Sequence, residues 1–454
     1  VFSTGTGTGA VSPIKAANSR ARLRLAEAWI ELDYTEKAKD ELLHVSNLLK
    51  LTPTESLYHQ AVTKTATHDF AGAVDAYSQI VELSPESEKP YALLDLGRAQ
   101  ERNREWKKAL ESYAAAKNLA PQYAASSLRL GVLYGRQRED EKSDAALAEA
   151  EKLYQDIGHI EGVAEVCYQL GVRLIKRGRT AKAREELQRA IDIASRSGNT
   201  HQQIRSFLQM SSAVAFENNI SLAQTLASRA IEIARADHIE NLSTSGLIDP
   251  GNVFYLRGNL SDAEKYYKQA LEFAQLYKGR LNEARALLSL ASLYTQHTGS
   301  ASLARDHAGR EMDFYRQGGY DTEVSQGWTI LGHASDQMGD YEAALDAFRQ
   351  QLRLAEQSKD KLQQARSHEG IATALAHQEN YPEALNHYEN QLALDRELGQ
   401  QIHIGHGLIN RANMLWRMGR YEEARKSFDE ARSLASSGDE EMKEVREIQL
   451  FARC

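Results

Sequence analysis

A small residue recurs along this 454-residue chain with a near-constant stride. Alanine stands at Ala38, Ala73, Ala109, Ala183, Ala223, Ala263, Ala304, Ala344, Ala384 and Ala424, and Ser143 fills the one gap. The first steps are 35, 36 and 34 residues; from Ser143 on, every step is 40 or 41. A period in that range marks one supersecondary unit copied and stacked, each copy burying its apolar face against the next. Such a chain grows as one body without a closed core, which overrides the division into about three domains that length alone would suggest.

The unit is legible in WTILGHASDQMGDYEAALDAFRQQ, Trp328–Gln351. Trp328, Leu331 and Gly332 fall at i, i+3 and i+4, one face of a helix. Gly339 ends that helix and Asp340 caps the next, whose apolar stripe is Tyr341, Ala344, Leu345 and Phe348. Each unit is therefore two antiparallel helices joined by a short turn. The first-helix pair returns as Leu96-Gly97, Leu130-Gly131, Leu170-Gly171, Leu331-Gly332 and Ile371-Ala372, and an aromatic opens the second helix at Phe70, Trp106, Tyr341, Tyr381 and Tyr421. Four residues after the alanine stands a large side chain, as at Leu42, Tyr77, Tyr113, Leu187, Tyr267, Phe348 and Tyr388. Small residues let two helix backbones approach, and large ones fill the gap one turn later.

Composition excludes several classes. Seven prolines in 454 residues suit a nearly all-helical chain. The net charge of −8, with both signs interspersed and no basic stripe, argues against a nucleic-acid partner. No apolar run approaches the length of a membrane span. Val1–Ala10 has neither a basic start nor an apolar run, so it is not read as a signal peptide, and no initiator methionine is present. The chain is read as a fragment or processed form. Cys167 and Cys454 give no disulfide framework, which fits a reducing compartment without excluding an oxidising one.

With Leu-Gly, aromatic, Ala and aromatic-or-Leu in phase over roughly residues 19–436, the chain resembles the tetratricopeptide repeat (TPR) family. The resemblance implies an all-α, right-handed superhelix of about eleven helix-turn-helix repeats. The early copies keep the family's closing proline at Pro85 and Pro121. The longer later copies resemble the long-helix repeats of partner-of-inscuteable proteins, kinesin light chains and bacterial regulatory receptors. Closer still, RLRLAEAWIELDYTEKAKDELL (22–43), AEKYYKQALEFAQLYKGRLNEARALLSL (263–290) and SHEGIATALAHQENYPEAL (367–385) resemble the C-terminal TPR region of bacterial serine/threonine protein kinases. No kinase motif is present in the chain itself: no nucleotide-binding glycine loop with a VAIK-type lysine, no HRD, no DFG.

Four segments follow. Residues 1–18, rich in Gly, Ser and Thr, read as a flexible linker. Their Gly-Thr-Gly-Thr-Gly run has no lysine after it and no strand before it, so it is not a phosphate loop. Residues 19–123 hold repeats 1–3 of 34–36 residues, residues 124–438 hold repeats 4–11 of mostly 40, and residues 439–454 read as a capping or truncated repeat helix. Pro250 stands where other units place a packing Leu. It implies either a shortened or kinked helix or a bend that widens the groove, and both require irregular backbone near Ser243–Pro250.

The search for chemistry returns little. HExxH, Cys-x-x-Cys, a Walker lysine and Gly-x-Ser-x-Gly are all missing. His403 and His406 could share a helix face, but metal binding needs a third ligand and a second shell, so no metal site is assigned. His368, His377 and His387 show no ligand spacing and read as solvated or packed. Acidic pairs such as Glu422-Glu423 suit the first turn of a helix. Cys167 has no activating partner in its surroundings. No catalytic residue and no cofactor are assigned.

In stacked helix pairs the first helices line the concave face. Groove positions read as Asp249, Asn252 and Tyr255 in unit seven, Arg285 in unit eight, His333 in unit nine, Arg366 in unit ten, and Asn410, Asn413 and Trp416 in unit eleven. Asparagine offers donors and an acceptor that match a peptide backbone. Asn252 and Asn413 match the groove asparagine of related long-helix TPR proteins, although only these two units keep it, and either can equally be a solvated polar residue. Trp416 is either an anchor for a partner or packing for a following repeat. The expected function is a non-catalytic scaffold or sensor that holds a peptide or partner protein in its groove, within a larger bacterial signalling protein such as a kinase. The alternative is a receptor for a small molecule or peptide signal that switches an attached effector through superhelix pitch.

Overall fold

The computed structural model describes residues 13–48, 51–296 and 299–435. Within them the chain forms 22 α-helices and no strand, paired into eleven repeats. The segment expected as an end helix, 439–454, lies outside the described residues. Two compact units result, Val1–Ala286 and Leu287–Cys454.

In the first unit the first helices of successive repeats are α1 (Pro13–Glu31), α3 (Pro53–Ala66), α5 (Lys89–Arg102), α7 (Ala124–Arg136), α9 (Ile160–Lys176), α11 (Thr200–Phe216) and α13 (Glu240–Leu256). Their partners are α2 (Thr35–Leu48), α4 (Phe70–Leu83), α6 (Trp106–Leu119), α8 (Asp140–Asp156), α10 (Thr180–Ser197), α12 (Ile220–Ala236) and α14 (Leu260–Leu276). The division between units falls inside α15 (Arg280–Tyr294). The second unit continues with α16 (Ala301–Gln317), α17 (Asp321–Gln337), α18 (Tyr341–Gln357), α19 (Lys361–His377), α20 (Tyr381–Leu398), α21 (Gln401–Arg417) and α22 (Tyr421–Ala435). Helix α1 begins at Pro13, inside the stretch read as a linker, while residues 1–12 lie outside the described residues.

The stride has a single physical cause. Every one of the ten alanines and Ser143 is buried to 2 % exposure or less. The large residue one turn later lies over the small residue of its partner helix. A Cβ added to Gly97 would stand 2.3 Å from the Tyr113 ring, one on Gly171 2.5 Å from Leu187, and one on Gly332 2.5 Å from Phe348. Only a missing side chain lets those helices approach so closely. The core is correspondingly local: Leu94, Ala109, Tyr113, Leu130 and Leu133 form one cluster from one repeat and the next.

Termini follow from the sequence. Asp340 accepts the Ala343 N–H at 3.3 Å after Gly339 at φ 76°, and Thr52 with Glu55 forms a capping box before Pro53. The change of period appears as helix length. Helices α3–α6 have 14 residues each, whereas the pair α11 and α12 has 17 each. The extra six residues are thus shared between both helices of the pair.

Pro250 corrects one expectation. Helix α13 runs unbroken from Glu240 to Leu256 with Pro250 in its interior, so the irregular backbone expected near Ser243–Pro250 is not there. The residue whose carbonyl meets the proline ring, four positions back, is Gly246, and Gly251 follows the proline. A backbone with glycine on both sides of the misfit has latitude to tilt.

Candidate functional site

Because the second helices turn the small-residue seam into core, the opposite face of each first helix is left to line the groove. In the first unit one column of that face is Arg129, Gln169, Gln209 and Asp249, spaced 40 residues apart on α7, α9, α11 and α13. Gln169 donates to Glu165 at 2.8 Å. Arg205 donates to the same carboxylate at 2.8 Å from the next helix, with its guanidinium 4.0 Å from the centre of the Tyr168 ring. Gln209 donates to Asp249 Oδ2 at 2.6 Å, from α11 to α13. Three successive helices are thus laced by side chains that still present polar atoms to the groove.

These groups enclose a pocket of about 210 Å³ lined by Tyr168, Arg205, Gln209, Gly246, Asp249 and Arg285 among others. Asp249 is exposed to water yet deep in the concavity. That enclosure pushes its carboxyl pKa up, while the Gln209 hydrogen bond and the charges of Arg285 and Lys176 pull it back. Enclosure also opposes the charge on Arg205, but Glu165 outweighs it and the guanidinium stays firmly charged. Burial raises the Tyr168 hydroxyl. Arg285 is exposed, makes no hydrogen bond or ion pair among the described residues, and acts on Asp249 through its field alone.

The groove differs at repeats 1–3. Here α1 reaches across α3 to α5 through ionic rungs: Arg20–Glu88 at 3.7 Å, Arg24–Asp95 at 2.6 Å, and Glu31–Arg102. Tyr77 donates to Glu27 at 2.6 Å below them. Between the rungs lies a pocket of about 390 Å³ with Leu23, Val62, Tyr58 and Tyr91 on its walls. Both Arg24–Asp95 and Glu31–Arg102 span 71 residues, two early repeats. Opposite charges at twice the period were the signal for these rungs, and sequence reading missed it.

The residues singled out from sequence are distributed as follows. Asn252 is exposed, and its Oδ1 accepts the Tyr267 hydroxyl at 2.7 Å, which leaves its amide NH₂ and one lone pair for a ligand. Tyr255 is half-buried one turn on. Of the groove positions read from the sequence, Asp249 and Arg285 line the pocket; Asn252 and Tyr255 sit further along α13. In the second unit, His333 is exposed with its ring 5.1 Å from Phe348, and enclosure lowers its pKa. Arg366 and Asn413 are exposed, Asn410 is half-buried, and Trp416 is 57 % exposed with Arg417 against its ring. Tyr168, Arg205 and Gln209 were not foreseen, since nothing in a single repeat marks them.

Other chemistry is sparse. Cys167 is fully buried and its thiol is pushed up to about 12 by burial, the wrong direction for a nucleophile. His368 and His387, from α19 and α20, face each other with their Nδ1 atoms 2.9 Å apart. No three His, Cys, Asp or Glu side chains among the described residues are placed to hold a metal ion, and no described helix is long and apolar enough to cross a membrane.

Comparison with known families agrees with the helix pairs. Models described as "Tetratricopeptide repeat" match residues 60–124, 164–197, 324–397 and 405–437. The chain carries tetratricopeptide repeats and is an all-α solenoid of them. No curated protein matches the chain. Among solved structures it is similar to a Rap protein complexed with competence and sporulation factor, at 15 % identity and TM-score 0.47, covering 85 % of this chain and 99 % of that one. It is similar to yeast Tom70 at 16 % identity and TM-score 0.44, covering 97 % and 96 %. It is similar to a signal transduction ATPase with a tetratricopeptide repeat sensor from Pyrococcus horikoshii, at 16 % and 0.45, covering 84 % of this chain and 56 % of that one.

Proposed function

We propose that the groove lined by the first helices holds a peptide segment or partner protein, and that this chain is the non-catalytic binding part of a larger signalling protein. The kinase resemblance of its sequence makes a bacterial serine/threonine kinase the parent of choice. The ladder from Gln169 through Arg205 to Gln209 and Asp249 carries this reading. It sets donors and acceptors on successive helices at one groove depth, which an extended backbone with a donor and an acceptor at every residue can meet. Arg285 and the Asn252 amide add unspent donors beside it. In the second unit we assign the same role to His333, Arg366, Asn410, Asn413 and Trp416, with Trp416 as the anchor.

The test selects short linear peptides from a random library on the full chain and measures their affinity by calorimetry. Arg205→Ala and Asp249→Ala should each weaken a selected peptide about tenfold or more, and Asn252→Ala with Asn413→Ala should weaken partner capture without loss of helix content. Peptides that bind these variants and Trp416→Ala as well as wild type would show that the groove assignment is wrong. The bounded pocket between the ionic rungs favours the second reading, a receptor for a small signal molecule. Solution scattering that contracts on adding the signal would support it.

A further inference from the structure

Within the first unit the chain meets itself across more than 200 residues. The turn between α1 and α2 packs on the turns that precede α13 and α15. Asp33 Oδ2 accepts the Asn282 N–H at 2.9 Å and Oδ1 the Leu281 N–H at 3.3 Å, so this carboxylate caps α15 from 249 residues away. Tyr34 Oη accepts the Asn241 N–H at 3.4 Å in the first turn of α13. These are helices whose own flanking residues offer no cap: Ile239 before α13 makes no side-chain cap bond, and Gly279 before α15 has no side chain.

Two asparagines one repeat apart complete the contact. Asn241 Nδ2 donates to the Asp33 carbonyl at 3.1 Å, and Asn282 Nδ2 donates to the Asn241 carbonyl at 3.1 Å. All four side chains are shut away from water: Asp33 is 8 % exposed, Tyr34 9 %, Asn241 1 % and Asn282 3 %. Space is equally tight, since a Cβ on Gly279 would lie 2.9 Å from Asn241 and 3.0 Å from Asp33. Asp33 itself holds φ at 59°, a left-handed conformation that nine glycines adopt elsewhere in the chain. Its carboxylate is kept at a position where glycine would be easier.

The consequence concerns the groove. Seven repeats complete one turn, and the first repeat then abuts the seventh and the start of the eighth. The wall is closed at that point, and the ladder pocket lies on the first helices of the same turn. A ligand cannot enter sideways past the clasp while the contact holds. A segment held at both ends would have to enter as a hairpin, at twice the width of a single strand.

We infer that the groove of the first unit is built for a linear peptide or protein tail with a free end, and that the Asp33–Asn241–Asn282 clasp excludes the same sequence when both its ends are held. This rests on the groove reading above. The probe is a short peptide selected from the linear library, presented once as the free peptide and once grafted into a surface loop of a folded carrier, against the full chain. The grafted form should bind wild type about 100-fold more weakly, because it must await a clasp that several buried hydrogen bonds keep shut. Asp33→Gly removes the carboxylate while easing the turn, and Asn282→Ala breaks the contact from the other side. Each should bring the two formats within about threefold of one another, with faster hydrogen exchange at the Leu281 amide as the sign that the clasp has opened. Equal binding of both formats by wild type would overturn the inference. So would a gap that persists in variants whose Leu281 amide exchanges freely. Failure of the groove reading is distinguishable: the free peptide would then bind Arg205→Ala and Asp249→Ala undiminished, and a library without binders would overturn both.

Discussion

Phe348 tests the physical basis of the array most directly. Its ring is 2 % exposed and is sandwiched between two glycines of consecutive first helices. A Cβ on Gly332 would stand 2.5 Å from the ring, and so would a Cβ on Gly370. The surroundings cannot easily collapse, because Ala344, Leu345, Ile371 and Leu375 hold α18 and α19 together in one cluster with the ring. Phe348→Ala should therefore cost about 3–5 kcal/mol, toward the upper end of that range. Gly370→Ala gains about 1 kcal/mol of helix propensity but drives a methyl into the ring, so it should destabilise by about 1–2 kcal/mol. Combining Gly370→Ala with Phe348→Leu should then cost less than the two changes summed, since the smaller leucine vacates the space that the added methyl fills. The assay is native-state hydrogen exchange under rising urea, which resolves local from global opening. In a quasi-one-dimensional array the loss should concentrate in α17–α20 and leave helices several repeats away protected. Equal loss in every helix of the chain, or strict additivity of the double variant, would refute the reasoning that one ring holds two helix seams.

Three further outcomes follow from the same structure. Pro250→Leu restores the side chain that equivalent positions carry, and should stabilise α13 by up to the about 3 kcal/mol that an interior proline costs; slower amide exchange in α13 checks it, and a loss of stability would contradict it. Burial, reinforced by His387, pushes His368 down to about 4, so its imidazole NMR signals should titrate near there, not near 6.5. The sign for stability follows: the unfolded chain takes up protons at these histidines below about pH 6.5 and the folded chain refuses them. Replacing the pair with the Trp and Ala found one repeat earlier at Trp328 and Ala347 should therefore bring a benefit that grows as pH falls from 6.5 toward 4. In the early groove, Asp95 is 5 % exposed, and Arg24→Ala strips it of the cation that bridges it to α1, leaving Arg98 at 3.5 Å on its own helix. Exchange should quicken in α1 and α5 together, and a change confined to α1 would argue against a rung that spans the groove.

The fold was almost wholly legible because its defining signal repeats. A single Leu-Gly pair says little, but the same small residue under the same large one in repeat after repeat leaves one packing solution. Gly97 under Tyr113 and Gly332 under Phe348 are two readings of one rule. Pro250 shows the limit. Its local meaning is a broken helix, yet α13 runs on through it, with Gly246 standing four residues back where the proline ring meets the backbone carbonyl.

The groove was legible only in outline, and for a reason rooted in how repeats bind. Sequence reading finds which face of each first helix is left over, but the contacts that build the pocket run between repeats. Arg205 owes its place to Glu165 on the preceding helix, and Gln209 to Asp249 on the following one. Such pairs appear only when positions 40 apart are read as neighbours. The Asp33 clasp lies beyond even that step, because it joins the first repeat to the seventh and eighth, a distance set by how many repeats make one turn. That number is the sum of many small rotations between helix pairs, each decided by side-chain sizes across a seam. One clue was nonetheless on the surface of the sequence. Five of the turns between paired helices put glycine at the left-handed position, whereas Asp33 stands there with its carboxylate spent on a helix more than 200 residues away. What sets Asp33 apart from the other left-handed turn residues is its burial at 8 % exposure, and the asparagines buried at the first turns of two adjacent repeats, Asn241 and Asn282, mark where its contact lands.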